Sequence, residues 1–249
     1  MTPQDSTENT GPPRDYFATT RWTVVLAAGS RSTPQADVAL EELCRTYWYP
    51  LYAYVRRHGH SREDAEDLTQ SFFARFLQKN YLEKLRSEHG RFRAFLLASL
   101  KHFLANEWDR SRRQKRGGGA AMLSLDWQEA ESRYRIDPAD QLSPDKIYDR
   151  AWAVTLLERV IGRLRAENDG EGKGPLFEGL KAFLMVGRGE IPYAQAAAGL
   201  GLTEGTARVA VHRLRRRYRE LLREEIGQTL SDPAQVEEEM RALFSAFAG

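Results

Sequence analysis

A single cysteine, Cys44, is all that this 249-residue chain contains. No intramolecular disulfide can form, a usage that fits a reducing cytosol. With Leu43 and Tyr47 as neighbours, Cys44 reads as an inert core position rather than a nucleophile. No apolar run approaches the roughly 20 residues that a membrane span needs. Residues 1–16 carry no apolar signal-peptide core and read as a disordered leader. Sustained apolar–polar alternation, the strand signal, is missing. The common catalytic patterns are missing as well. No His/Cys/Asp set has metal-ligand spacing, and His58-Gly59-His60 sits just before a helix cap without further ligands. Gly117-Gly118-Gly119 and the segment 170–175 lack both the P-loop pattern and a preceding strand. Ala27-Ala28-Gly29-Ser30 is no nucleophile elbow. Glu63, Asp64, Glu66 and Asp67 crowd one turn, with no apolar pocket to drive two of their pKa values apart. The expectation is therefore a protein without catalytic residues, cofactor or metal.

A net charge of +2, from 37 Lys and Arg against 35 Asp and Glu, is uninformative because the signs are segregated. Basic residues cluster at 101–116 and 208–223 and acids at 224–239, so local patches rather than the average would meet phosphate. The periodic segments nearly all have helical spacing. They predict an all-α fold of two helical domains joined by a flexible linker, the second containing a helix-turn-helix. Residues 1–35 form an N-terminal arm, partly disordered, with Trp22, Val25 and Leu26 in a short helix over 17–28. Residues 36–116 form the first domain. In it, Leu40, Leu43, Tyr47, Leu51, Tyr54 and Val55 face inward from a helix that Pro50 should kink or split. Ser61 to Asp64 resembles a capping box and opens a helix to about 78 that buries Ala65, Leu68, Phe72, Phe76 and Leu77. A loop over 80–90 precedes a long helix over 91–114 with Phe92, Phe95, Leu96, Leu100, Phe103 and Leu104 toward the core. Residues 117–143, where periodicity fades and glycine and Pro138 appear, read as the linker, with Trp127 and Tyr134 packing locally. Residues 144–227 form the second domain, with Trp152, Leu156, Val160 and Leu164 at regular steps. Residues 228–249 form an acidic amphipathic helix whose apolar stripe is Val236, Met240, Leu243, Phe244 and Phe247.

The strongest local pattern lies at 193–223. A turn, Gly199-Leu200-Gly201-Leu202, is followed by Thr203 as a helix N-cap. Beyond it Ala207, Val211, Leu214, Tyr218 and Leu221 recur at steps of four and three, one apolar face. The other faces carry Arg208, His212, Arg213, Arg215, Arg216, Arg217, Arg219 and Arg223. Such a run is usually a solvated face balanced by acids one turn away. Here only Glu220 interrupts it before Glu224, so the pattern favours a DNA-reading helix.

A second pattern precedes it. On the helix after Ser61, Asp67, Gln70 and Ser71 form a polar stripe opposite Leu68, Phe72 and Phe76. On the next helix, aromatic and basic residues interleave: Lys101, Phe103, Asn106, Trp108, Arg110, Arg112, Arg113, Lys115 and Arg116. Cations hold phosphates and aromatic faces support unpaired bases, although Phe103 and Trp108 fall on the apolar face and read as core.

These segments resemble those of bacterial sigma factors of the extracytoplasmic-function group, the promoter-recognition subunits of RNA polymerase. The resemblance covers about 36–116 and 152–226. "AEDLTQSFF" is similar to the family's acidic-Leu-x-Gln motif, which binds the clamp helices of the largest polymerase subunit. "RFRAFLLASLKHFLANEWDRSRR" resembles the helix that engages and melts the promoter near the start site. The helix-turn-helix resembles the one that reads the upstream element. By position the resemblance implies that Asp67, Gln70 and Ser71 contact polymerase. Lys101, Asn106, Arg110, Arg112 and Arg113 would contact the melted promoter, and the loop 80–90 would capture a flipped base. Glu204, Thr206, Arg208, Val209, His212 and Arg215 would face the upstream element, and Arg219 a phosphate. The implied partners are core RNA polymerase and promoter DNA, in the cytoplasm, with the polymerase performing nucleotide transfer. The arm, the segment around 166–175 and the acidic tail depart from the minimal pattern. They point away from ordinary anti-sigma control, leaving an anti-sigma factor or the chain's own C-terminal helix as candidate inhibitor. Two other readings stay open at this point. One is a helix-turn-helix operator-binding regulator that does not bind core polymerase; the other is a nucleic-acid enzyme with an unrecognised site.

Overall fold

The computed structural model describes residues 21–28, 33–76, 91–111, 126–136, 142–186 and 190–247. Among them the fold is all-α, and the only β-pairing is an isolated bridge between Arg91 and Leu230. None of these helices is long and apolar enough to cross a membrane.

Helix α1 (Arg21–Ala28) places Trp22 in the core, fully buried against Phe92 and Phe95 at ring distances of 4.9 and 5.9 Å. Side chains at Val25 and Leu26 lie outside the described residues. Helix α2 (Pro34–Arg57) starts at an N-cap, where the Ala36 N–H donates to Thr33 Oγ1 at 3.2 Å, with Pro34 in the first turn. All six of its expected core residues are buried. Pro50 does not split it. Proline inside a helix costs about 3 kcal/mol, but Tyr47, Tyr49, Leu51 and Tyr52 are buried on every side of this turn, and that packing holds the helix through it. Ser61 Oγ accepts from the Asp64 N–H at 3.0 Å and donates to its carboxylate, so the predicted cap opens helix α3 (Arg62–Phe76). Helix α4 (Phe92–Ser111) packs on α2 and α3.

The segment read as linker contains helix α5 (Trp127–Ile136), packed on α2. Trp127 meets Trp48 edge-on at 5.5 Å, and Asp126 caps the first turn. Its anchor is Glu131, a carboxylate missed by periodicity because its partners lie about 75 residues away. Glu131 is buried and accepts from Tyr52 Oη at 2.6 Å and from Arg56 Nε and Nη2, each at 3.1 Å. Burial alone would raise its pKa, but the bonds from Arg56, Tyr52 and Arg135 override this and pull it down from 4.5 to about 2. A lowered acid stabilises the fold above its unfolded pKa and loses that contribution as pH falls through its folded one. Glu131 should therefore supply about 3 kcal/mol at neutral pH, lost between about pH 4.5 and 2. Urea titrations of the wild type and Glu131→Gln across that window should converge at its acid end.

Helix α6 (Pro144–Gly170) is capped by Ser143 and lies along α2. Trp152, Leu156, Val160 and Leu164 are buried there, in the same continuous core as α1 to α4. Helix α7 (Gly174–Leu180), a 3₁₀ turn (Lys181–Leu184), helix α8 (Tyr193–Gly199) and helix α9 (Glu204–Gly227) follow. Helix α10 (Val236–Ser245) ends the described chain, packed on α9 and α6. Its stripe is narrower than the sequence implies. Val236, Met240 and Leu243 are buried, whereas Phe244 and Phe247 are exposed. Glu239, which lies off that apolar stripe, is completely buried because Arg91 and Arg93 meet it at the start of α4.

Candidate polymerase and nucleic-acid interface

The helix-turn-helix is built as its residues dictate. Helix α8 ends in a Schellman motif: the Leu202 N–H bonds the Ala197 carbonyl at 2.9 Å and the Gly201 N–H that of Ala198 at 3.3 Å. Gly201 adopts φ +65°, a left-handed conformation that favours glycine. Gly179 lets α7 approach this turn closely, since a Cβ there would lie 2.7 Å from Leu200 Cδ2. Thr203 then caps α9, accepting from the Thr206 N–H at 3.2 Å. Ala207, Val211, Leu214 and Leu221 are buried, and Tyr218 half-buried.

The exposed face of α9 begins with Glu204, Thr206, Arg208, Val209 and His212. Arg208 pairs with Glu204 at 2.5 Å and lies 5.4 Å over the Tyr193 ring, which pre-orients it on the surface. Arg215 is the exception. It points inward, donating to the Phe183 carbonyl at 2.8 and 3.0 Å and to that of Val186 at 3.3 Å. It ties α9 to the end of the 3₁₀ turn, whereas the sequence suggested a side chain directed at DNA. Several neighbours are neutralised by acids: Arg216 by Glu220, Arg217 by Glu167 and Glu224, Arg223 by Glu237. Arg213 and Arg219 are exposed and pair with no acid among the described residues.

In the first half, α3, α4 and the end of α2 enclose a cleft of about 770 Å³. Asp67 and Ser71 line it from α3, Lys101 and Trp108 from α4, and His58 and His60 from the turn between α2 and α3. Asp67 and Ser71 are exposed and Gln70 half-buried, opposite the buried Phe72 and Phe76. Trp108 is 64% exposed rather than core. Full burial along α4 ends at Phe103, and Ala105, Asn106 and Trp108 are exposed around the half-buried Glu107, so the helix has left the core by the position of Trp108. Asn106 is exposed nearby. Lys101 is held by Asp145 of α6 and lies 5.8 Å over the Tyr54 ring. The side chain of Arg110, all of Arg112 and Arg113, and the loop 80–90 lie outside the described residues. His58 Nε2 shares a 2.9 Å hydrogen bond with Tyr54 Oη, and no described cluster of His, Cys, Asp and Glu could hold a metal.

An all-α chain with an exposed polar stripe on α3, a cleft lined by charged and aromatic side chains, and a helix-turn-helix arrangement with exposed arginines is compatible with a DNA-binding transcription protein. Residues 43–114 match the family model described as Sigma-70 region 2. Neither the curated proteins nor the solved structures give a match. The matched domain includes the cleft and indicates a sigma factor: the protein binds core RNA polymerase and directs promoter-specific transcription initiation.

Proposed function

We propose that this sigma factor is of the extracytoplasmic-function group and acts in the cytoplasm, using α3 to bind polymerase, α4 to engage the melting promoter and α9 to read the upstream element. The observation that carries this reading is the cleft within the matched segment, where Asp67 and Ser71 stand beside Lys101 and Trp108. The order of the motifs supports the group assignment, and the built helix-turn-helix supports a second promoter contact. Asp67→Ala combined with Gln70→Ala should weaken core-polymerase binding. Both side chains lie on the surface stripe of α3, so stability should change by no more than about 0.5 kcal/mol. A pull-down titration with unchanged affinity would remove α3 from the interface.

At the upstream element the reading set is Glu204, Thr206, Arg208, Val209 and His212, with Arg213 and Arg219 toward phosphate. Arg208→Ala should cost on the order of 1–3 kcal/mol and relax preference at one base pair. Arg215→Ala should instead lower stability by about 1–3 kcal/mol, because it leaves two carbonyls without their charged donor. Equal loss on every promoter variant for Arg208→Ala would argue against base reading. A stable Arg215→Ala protein with altered sequence preference would return Arg215 to the reading face.

A further inference from the structure

The chain beyond α9 crosses back to the N-terminal half and is stitched to it. The Trp22 N–H donates to the Gln228 carbonyl at 3.1 Å and the Phe92 N–H to that of Thr229 at 3.0 Å. Arg91 and Leu230 then form the antiparallel bridge. One helical turn into α10, the fully buried Glu239 accepts from Arg93 Nε at 2.8 Å and forms an ion pair with Arg91 Nη1 at 3.2 Å. Glu238 also pairs with Arg91, and Asp149 of α6 with Arg93. Arg93 is fixed further by stacking 4.4 Å over Trp152. Lys101 is held by Asp145. Every Lys or Arg described between positions 91 and 108 is thus paired with a carboxylate from the C-terminal half of the chain.

Guanidinium and ammonium groups take carboxylate and phosphate in the same way, so these acids stand where phosphate would bind. A buried ion set adds little net stability over apolar packing. It makes a specific joint that can open without a large loss, provided its charges find new partners.

We propose that residues 228–247 are a strap that holds the free protein closed. In that state Asp145, Asp149, Glu238 and Glu239 occupy Arg91, Arg93 and Lys101, and binding of core polymerase releases these cations to nucleic-acid phosphate. This rests on the sigma-factor reading and adds a built-in control to it.

The bridge offers a direct lock. Antiparallel bridged residues have Cα atoms within about 5.5 Å, inside disulfide range, so Arg91→Cys with Leu230→Cys should cross-link under oxidation. Cys44 is buried, and burial raises its thiol pKa, so it does not compete. The full chain is titrated with core polymerase, oxidised and reduced, with melting temperature recorded for both. The oxidised form should bind on the order of tenfold more weakly and recover with reductant, and Glu239→Gln in the natural chain should bind more tightly than wild type. Equal affinity of the oxidised and reduced forms, or a folded Glu239→Gln protein with wild-type affinity, overturns the strap. Failure of the wild type itself to bind core polymerase would instead overturn the sigma-factor reading on which the strap rests.

Discussion

Trp22→Ala should cost the fold about 3–5 kcal/mol, the range for emptying a buried tryptophan site. Trp22 has no exposed surface, sits between Phe92 and Phe95, and its backbone carries the bond to Gln228. Helix α1 has eight residues, too few to persist alone in water, so its order derives from this anchor. For a chain of this length the loss corresponds to a melting temperature lower by on the order of 10 °C. The urea midpoint should fall, and a truncation that removes residues 1–28 should fall equally far. A Trp22→Ala protein within about 1 kcal/mol of wild type would mean that the arm is an appendage and not part of the core.

Glu225→Ala should also be costly, for a different reason. Glu225 is buried on α9 and pairs with Arg21 at 3.5 Å, Arg159 at 3.1 Å and Arg163 at 2.5 Å. Its removal leaves Arg21 without the acid it pairs with and strips one of two acids from Arg159 and Arg163, which keep Glu42 and Glu224. The arginines are partly exposed, so losing this shared buried acceptor should cost about 1–3 kcal/mol. Glu158, exposed on α6 and paired with Arg133 at 2.6 Å, is the control, because a surface pair contributes only about 0–1 kcal/mol. Chemical denaturation of Glu225→Ala and Glu158→Ala in one buffer should separate them by several-fold in lost stability. Equal losses would show that the Glu225 cluster is solvated in practice.

Local rules carried much of the fold. Steps of three and four placed Leu40, Leu43 and Tyr47 on α2 and Trp152, Leu156 and Val160 on α6, and all are buried. The cap at Thr203 and the left-handed Gly201 were readable because a turn's chemistry is confined to its own few residues. The misses share one cause, that the deciding partner is distant in sequence. Helix α5 looked like linker because its anchor, Glu131, is satisfied by Tyr52 and Arg56. Arg215 looked like a DNA contact because the carbonyls it holds belong to Phe183 and Val186. The arginines of α9 looked unbalanced because their acids, Glu167 and Glu237, come from other helices. Glu239 lies off the apolar stripe of its helix, and nothing local reveals Arg91 and Arg93. Trp108 was misplaced in the opposite sense, since periodicity cannot tell where along a helix the neighbouring bundle ends.

The candidate site divides in the same way. The stripe of Asp67, Gln70 and Ser71 was legible from spacing on one helix. Its juxtaposition with Lys101 and Trp108 across the cleft depends on how α3 meets α4, which spacing does not encode.

Run-off transcription tests the central claim most directly: core polymerase with and without this chain, on fragments of the source genome, with start sites mapped. The account predicts discrete transcripts that require the chain and are lost when Asp67 and Gln70 are both alanine. A chain that binds DNA but neither associates with core polymerase nor yields new start sites would contradict it.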